Sequence, residues 1–200
     1  MNYLAHALLA NESPEVMVGG LMGDFVKGRI PADLPAAIRH GLIMHRRIDQ
    51  FTDMHELVLA SKRLVSPGRR RFAGIMVDVF FDHFLARHWH QYSEDPLAQF
   101  TSGVYHILYR HWHVLPERLR RVLPFMADED WLASYQDISA IHASIDGISL
   151  RRLKRKNTLY QGARELERRY PEFEQHFLEF FPQLVDFVRE RDENSLGIAG

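Results

Sequence analysis

Apolar residues recur every three or four positions along almost the whole chain, which is the spacing of a helix with one buried face. Alternation of period two, which marks a half-buried strand, is missing. Prolines stand at or just before several periodic segments, where the first turn of a helix tolerates them. The pattern therefore predicts an all-α fold with helices at about residues 2–10, 14–27, 35–54, 55–65, 69–90, 96–112, 116–127, 137–155, 159–169 and 171–190.

Length and composition favour one domain. The 200 residues carry no internal repeat or linker, so we expect a single-domain helical bundle over residues 1–194 and a frayed tail at 195–200. The net charge of -1 gives no reason to expect nucleic-acid binding, and no uncharged run approaches the ~20 residues of a membrane span. The absence of cysteine excludes disulfides and Cys-ligated zinc and fits a cytoplasmic location.

Two carboxylates interrupt the most apolar segment of the chain. Asp78 and Asp82 stand one helical turn apart inside residues 72–86, a stretch that is apolar on all sides of a helix and therefore interior. Buried neighbouring carboxylates repel each other and lose hydration, so a partner must neutralise them. A divalent cation, a buried arginine such as Arg46, or a shared proton would do so.

A second polar stripe lies in the segment 41–53. His45, Asp49 and Asp53 fall on one side of the predicted helix and are flanked by apolar residues, which favours a pocket over open water. His45 and Asp49, at i and i+4, can bind one ion from one helix. The same spacing also fits an ordinary His–Asp pair on a helix surface.

Two histidines add to this set. His83 follows Asp82 directly, and both side chains reach one metal only from a site at the helix edge, because helical neighbours point about 100° apart. His6 lies on a short apolar helix, where a hydrogen-bonded core histidine is the simpler interpretation.

Glycines and charges follow one another between residues 19 and 29. Gly19, Gly20 and Gly23 indicate close helix packing beside the site or backbone freedom for a phosphate. Asp24 follows them directly as a further candidate ligand. The next cationic residues face either a phosphate or water; these are Lys27 and Arg29.

Four segments in this order resemble one known family. They are MNYLAH at 1–6, GDFVKG at 23–28, MHRRID at 44–49 with Thr52 and Asp53, and DVFFDHFLARHW at 78–89. The chain is similar here to the acyl carrier protein phosphodiesterases, also called acyl carrier protein hydrolases. The match is densest up to residue 89 and loosest from 96 to 130. Tyr3 stands where the family is expected to have Phe, and Gly23 where a small residue such as Ala is expected.

The resemblance implies a fold and a reaction. The fold would be all-helical and distantly related to the HD-type metal phosphohydrolases. The reaction would remove the 4'-phosphopantetheine arm from holo acyl carrier protein by hydrolysing its phosphodiester to serine, which gives apo carrier protein and 4'-phosphopantetheine. Mn²⁺ or Mg²⁺, as one or two ions, would be the metal, and ligation by carboxylates and histidines without cysteine suits these ions.

The residues and the resemblance together suggest roles in metal-assisted hydrolysis. We expect the first metal ligands to be Asp24, His45, Asp78 and Asp82, with His6, Asp49 and His83 as further ligands or supporting groups. Arg46 would stabilise charge on the phosphoryl oxygens, and His83 or one of the carboxylates that bind no metal would accept a proton from the attacking water.

Carrier proteins of this kind are strongly acidic, so a basic docking face is expected. Arg69, Arg70 and Arg71 are the first choice because they lead into the segment that carries Asp78; basic clusters at 118–121 and 151–156 are the alternatives. Two other functions stay open. One is an HD-like hydrolase of a nucleotide or other small phosphodiester, and the other is a non-enzymatic helical binding protein with a buried salt-bridge network.

Overall fold

The computed structural model describes residues 1–153 and 157–196, and within them it contains only helices, turns and loops. The all-α prediction is therefore confirmed. The α-helices of these residues are α1 (Tyr3–Leu9), α2 (Pro14–Met22), α3 (Ala36–Met54), α4 (Glu56–Leu64), α5 (Ala73–Arg87), α6 (Leu97–Arg110), α7 (Glu117–Asp128), α8 (Trp131–Ser134), α9 (Ile138–Gly147), α10 (Arg164–Arg168) and α11 (Tyr170–Leu196). Short 3₁₀ segments occur at Pro67–Phe72, Trp89–Gln91 and Trp112–Val114, and a π-helical turn at Ile148–Arg152.

The longest helices agree best with the sequence prediction. The segments predicted at 35–54, 96–112 and 171–190 correspond to α3, α6 and α11. The segment predicted at 69–90 is divided, because 3₁₀ turns flank α5 on both sides. In the segment predicted at 159–169, a turn precedes α10, with Gln161 at φ 57°. Two predictions fall partly outside the described residues. These are the last two residues, 154–155, of the helix predicted at 137–155, and residues 197–200 of the predicted frayed tail.

Helix α2 ends five residues earlier than its pattern predicts. The backbone N–H groups of Phe25 and Val26 both donate to the carbonyl of Met22, at 2.8 and 3.1 Å, and this closes the last turn. Gly28 then takes a φ of 73°, in the left-handed region that glycine adopts without steric cost. Residues 23–35 consequently form a loop between α2 and α3.

Helix α5 is the centre of the core, and α1, α4, α9 and α11 pack around it. Its phenylalanine side chains are fully buried and meet rings of α11; Phe80 contacts Phe173, and Phe84 contacts Phe177. Each buried ring of this kind contributes roughly 1.5–3 kcal/mol relative to an exposed one. The apolar run that predicted an interior helix therefore forms the helix against which α1, α4, α9 and α11 pack.

Helices α2 and α3 meet backbone to backbone. At their crossing, a Cβ atom on Gly41 would overlap the carbonyl oxygen of Val16, and one on Gly19 would overlap the carbonyl oxygen of Ile38. Both obstacles are main-chain atoms, which cannot rotate away as a side chain can. The two glycines thus set the spacing of the helices on either side of the loop 23–35.

Asp82 of α5 caps the N-terminus of α1. Its carboxylate is fully buried and accepts hydrogen bonds from the backbone N–H groups of Leu4, at 2.8 Å, and Ala5, at 3.3 Å. The first N–H groups of a helix have no partner within the helix and carry its positive dipole end, so they suit a carboxylate. Asn2, at the capping position itself, makes no such bond with its side chain. A residue 77 positions away in the chain therefore caps α1.

We expect Gly41→Ala to destabilise the protein by about 1–3 kcal/mol or more, because its methyl group forces α2 and α3 apart. Gly103→Ala is the matched control, because Gly103 is exposed within α6 and nothing lies within 4 Å of an added Cβ. That change should be neutral or should stabilise by up to about 1 kcal/mol through helix propensity. Urea unfolding of both variants measures the difference, and equal stabilities would contradict the close packing.

We expect Asp82→Ala to lower the free energy of unfolding by at least about 2 kcal/mol, because two buried N–H groups lose their acceptor. Asp82→Asn keeps one carbonyl oxygen for Leu4 and should lose less. Denaturant unfolding gives the energies, and amide hydrogen exchange at Leu4 and Ala5 localises the effect. An alanine variant as stable as the asparagine variant would show that the cap is unimportant.

Candidate metal centre

Three side chains converge between α1 and α3. His6 of α1 places its Nε2 atom 3.2 Å from Oδ1 of Asp49 on α3, and His45 of α3 places its Nε2 atom 3.1 Å from Oδ2 of the same carboxylate. Both histidines are buried, whereas Asp49 is about two-fifths exposed. Among the described residues, this is the group of histidine and acidic side chains whose atoms approach closely enough to hold one metal ion.

Local structure explains how α3 contributes two of the three groups. His45 and Asp49 are one turn apart and thus lie on the same face of the helix, as their spacing predicts. The ring of His45 fits against Gly23, where an added Cβ would overlap the imidazole. Nδ1 of His45 lies 2.8 Å from the carbonyl oxygen of Gly20 on α2.

The contact with Gly20 determines that Nδ1 of His45 carries a proton. A carbonyl oxygen only accepts hydrogen bonds, so Nδ1 of His45 must carry a proton and donate it. In the neutral ring, the lone pair of Nε2 then faces the carboxylate of Asp49, and two acceptors oppose each other at 3.1 Å. Either a second proton on the ring or a cation bound by both groups resolves this opposition.

His6 is held in the neutral form. Burial lowers its pKa to about 4, and the neighbouring ring of His45, stacked at a centroid distance of 3.9 Å, acts in the same direction. Its Nδ1 atom is buried without a hydrogen-bond partner. A neutral imidazole binds a metal ion through its unprotonated nitrogen, so binding through Nε2, the atom that faces Asp49, places the ring proton on Nδ1.

The separations fit a small divalent cation. Neighbouring ligands of an octahedral ion with bonds near 2.1 Å lie about 3 Å apart. The two distances between histidine nitrogens and carboxylate oxygens, 3.1 and 3.2 Å, match this value. Hydrogen bonds between a histidine and a carboxylate have the same lengths, so the distances alone make His6, His45 and Asp49 a possible metal site, with one ligand atom from each residue within 4.8 Å of the others.

The carboxylates of α5 have other partners in this structure. Burial raises the pKa of Asp82 to about 7 even though backbone N–H groups bind it, and its oxygens face α1. Asp78 lies 3.2 Å from the α-ammonium of Met1, which is also 3.5 Å from Asp49. Burial acts to lower the pKa of this ammonium, but the carboxylates outweigh it and raise the pKa to about 10. The sequence led us to expect a metal, an arginine or a shared proton as the partner of these carboxylates. In the structure, the partner of Asp82 is the N-terminus of α1, and the partner of Asp78 is the α-ammonium of Met1.

Two further predicted residues lie on or against the loop that follows α2. Asp24 is partly exposed and 3.8 Å from the ammonium of Lys27, outside the converging group. Arg46 is exposed and donates from Nη2 to the carbonyl oxygens of Val26 and Gly28, at 3.2 and 2.6 Å. Arg46 thus holds the loop and forms no pair with Asp78 or Asp82.

His83 takes part in a separate set of hydrogen bonds. Its Nδ1 donates to the carbonyl of Tyr135 at 2.7 Å, and the hydroxyl of Tyr170 lies 2.9 Å from Nε2. Burial lowers the pKa of the ring, which leaves Nε2 as the acceptor for the Tyr170 hydroxyl. Both nitrogens therefore have partners in the core, and the structure does not bring His83 to the other histidines.

The predicted docking arginines are only partly available. Arg69 pairs with the buried carboxylate of Glu165 at 3.2 Å and donates to the carbonyl of Tyr160 at 3.4 Å. Arg71 lies over the ring of Phe72, and Arg70 is exposed. Of the alternative cluster at 151–156, residues 154–156 fall outside the described part of the chain.

Known proteins match the chain along nearly its full length. A family model described as "Acyl carrier protein phosphodiesterase" matches residues 1–184. The chain belongs to the acyl carrier protein phosphodiesterase family. Members with this name from Klebsiella pneumoniae (strain 342) and Serratia proteamaculans (strain 568) are 36% and 34% identical to it, each over 96% of this chain and 99% of the relative. A member from Photorhabdus laumondii is 31% identical, over 96% of this chain and 97% of the relative.

No solved structure matches the chain of this family member. The all-helical architecture is established, and the relation to HD-type phosphohydrolases stays a prediction. Within the described residues, every helix is too short or too polar to cross a lipid bilayer.

Gly23→Ala should displace the ring of His45 and destabilise the protein by roughly 1–3 kcal/mol. In the wild type, the buried Nδ1–H of His45 should give a slowly exchanging imidazole proton resonance in NMR spectra, and the alanine variant should lose it. Gly74→Ala in α5 is the control, since the nearest atom to its added Cβ is 3.9 Å away. Retention of the resonance in Gly23→Ala would contradict the proposed fixing of this ring.

Proposed function

We propose that the protein is a metal-dependent phosphodiesterase acting on holo acyl carrier protein. It hydrolyses the phosphodiester between the carrier's serine and 4'-phosphopantetheine, and it releases apo carrier protein and the free arm. Membership of the acyl carrier protein phosphodiesterase family and relatives of that name over nearly the whole chain support the substrate and the bond. A cytoplasmic location stays a prediction from the sequence.

One observation supports the metal most directly. The Nδ1–H group of His45 donates a hydrogen bond to the carbonyl of Gly20, so Nε2 faces Asp49, and the neutral ring of His6 approaches the same carboxylate. Two histidine nitrogens and a carboxylate thus lie where they could bind one cation, with one ring orientation set by a backbone carbonyl. We propose His6, His45 and Asp49 as the ligands, and the partly exposed Asp78, which shares the Met1 ammonium with Asp49, as a further candidate.

The donor set suits Mn²⁺ or Mg²⁺. The carboxylate is acceptable to both ions, and the two imidazoles favour Mn²⁺. When bound, such an ion supplies Lewis-acid polarisation of a phosphoryl oxygen and activates a water molecule for attack on phosphorus. The partial exposure of Asp49 leaves one side of the group open for the phosphodiester.

The remaining roles belong to residues around this group. Asp24, partly exposed beside Gly23, is the proposed proton acceptor. Arg46 uses Nη2 for the loop carbonyls, and its positive charge beside the loop is proposed to offset charge on the phosphoryl oxygens. Asp82 and Gly20 act indirectly: the first caps the helix that carries His6, and the second orients His45.

The deciding experiment is conversion of the holo to the apo carrier protein. Purified protein with Mn²⁺ and holo carrier protein should give the apo form, detected by mass spectrometry as loss of the arm, and a chelator should stop the reaction. Absence of conversion with every divalent metal tested would refute the proposal. Faster turnover of a free nucleotide or small phosphodiester would favour the alternative hydrolase, and absence of metal uptake would favour a binding protein.

Asp49→Asn should lower both Mn²⁺ affinity and turnover of holo carrier protein by more than about 100-fold, because a neutral amide replaces the ligand that both histidines approach. Asp53→Asn is the matched control one turn along α3; this aspartate is exposed and pairs with Lys62 at 2.7 Å. Calorimetric titration with Mn²⁺ measures binding apart from catalysis. Similar losses in both variants would show that general charge, and not ligation by Asp49, is responsible.

A further inference from the structure

Positive charge collects around the loop 23–35. Lys27 and Arg29 lie exposed on the loop, Arg46 reaches it from α3, and Arg118 reaches it from α7. The guanidinium of Arg46 binds the carbonyl oxygens on either side of Lys27, and that of Arg118 lies 6.0 Å from the ring centroid of Phe25. We call these four cationic residues the loop face.

Acidic residues compensate only part of this charge. On the loop itself, Asp24 lies 3.8 Å from Lys27, and Asp33 is exposed. Arg29 and Arg118 are exposed, and neither has a carboxylate within ion-pair distance among the described residues. The chain as a whole has a net charge of -1, so the excess of cations on the loop face is a local feature.

The loop face adjoins the candidate metal centre. The loop begins at Gly23, which packs against the ring of His45. Its next aromatic residue, Phe25, stacks on Tyr3 of α1, at a centroid distance of 6.2 Å, one turn before His6. A partner bound to the loop face would therefore lie beside the group that we propose to act on it.

Of the arginines expected from the sequence to dock a partner, Arg69 is ion-paired and Arg70 and Arg71 are exposed. The buried carboxylate of Glu165 neutralises Arg69 at 3.2 Å, and the segment Pro67–Phe72 directly precedes α5. No described contact joins Pro67–Phe72 to His6, His45 or Asp49. The loop face differs in that its loop packs against His45 of the candidate metal centre through Gly23.

We propose that the loop face is the docking surface for an acidic protein partner. The inference rests on the proposed function, under which that partner is holo acyl carrier protein. Exposed charges of this kind raise the rate of encounter and orient the partner, and salt screens them within about 8–10 Å. Docking at this surface would direct a phosphodiester on the partner toward His6, His45 and Asp49.

The test is charge reversal at Arg29 and Arg118 together. Neither residue contacts the proposed ligands, and both are exposed. The Arg29→Glu/Arg118→Glu variant should raise KM for holo carrier protein by about tenfold or more at low salt, with little change in kcat. Its KM should also depend less on salt than that of the wild type. Lys27 and Arg46 are left unchanged, because they contact Asp24 and the loop backbone.

Two comparison variants separate position from overall charge. Arg63→Glu/Arg110→Glu reverses two exposed arginines in the last turns of α4 and α6, and its KM should equal that of the wild type. Arg70→Glu/Arg71→Glu tests the surface expected from the sequence. A larger rise of KM in either of these variants than in the Arg29/Arg118 variant would overturn the proposal.

Binding measured without turnover keeps this inference separate from the proposed function. Apo carrier protein, which lacks the scissile bond, is titrated into wild type and variants by calorimetry. Weaker binding to the Arg29/Arg118 variant supports the docking surface even if the wild type hydrolyses nothing, an outcome that would refute only the proposed function. Equal binding to wild type and this variant refutes the docking surface even if hydrolysis is observed. A circular dichroism spectrum and a thermal unfolding midpoint equal to those of the wild type verify that the variant is folded.

Discussion

The buried carboxylate of Asp82, bound to the first backbone amides of α1, is the constraint on which the arrangement of this protein depends. It joins the most buried helix to a seven-residue helix that would be too short to persist alone. The bond satisfies both sides, since the helix end needs an acceptor and the carboxylate needs positive potential. Through α1 it also sets the position of His6, although Asp82 does not contact that histidine.

The candidate metal centre is assembled from parts that are each fixed independently. Asp82 places α1, a backbone carbonyl orients His45, and the helical repeat of α3 aligns His45 with Asp49. Each support is a main-chain group or a buried side chain, so little freedom is left to the ligating atoms. Preorganisation of this kind lowers the entropic cost of binding an ion and of positioning a phosphodiester next to it.

The sequence predicts features that depend on the spacing within one helix, and it does not predict those that depend on contacts between two elements. The long periodic helices and the pairing of His45 with Asp49 follow from spacing alone. The partner of Asp82 could not be predicted, because it is a pair of backbone N–H groups, and every residue except proline has one. The end of α2 was missed for a similar reason, because the bonds of Phe25 and Val26 to Met22 that close it are between backbone groups. Only tertiary packing shows that Gly23, beside this end, lies against an imidazole. The run of glycines before Asp24 was the available signal, and it indicated close packing without identifying the neighbour.

The glycine contact between α2 and α3 fixes the helices that flank the loop 23–35 but does not constrain the residues in the middle of that loop. Because Gly19 and Gly41 bring main chain against main chain, the two helices have no side chains at this point that could repack into another spacing. The ends of the loop are therefore held at a fixed separation, whatever residues lie between Gly28 and Pro35. This outer stretch, which carries Arg29 of the proposed docking surface, can therefore vary in sequence or length while the imidazole of His45 keeps its position.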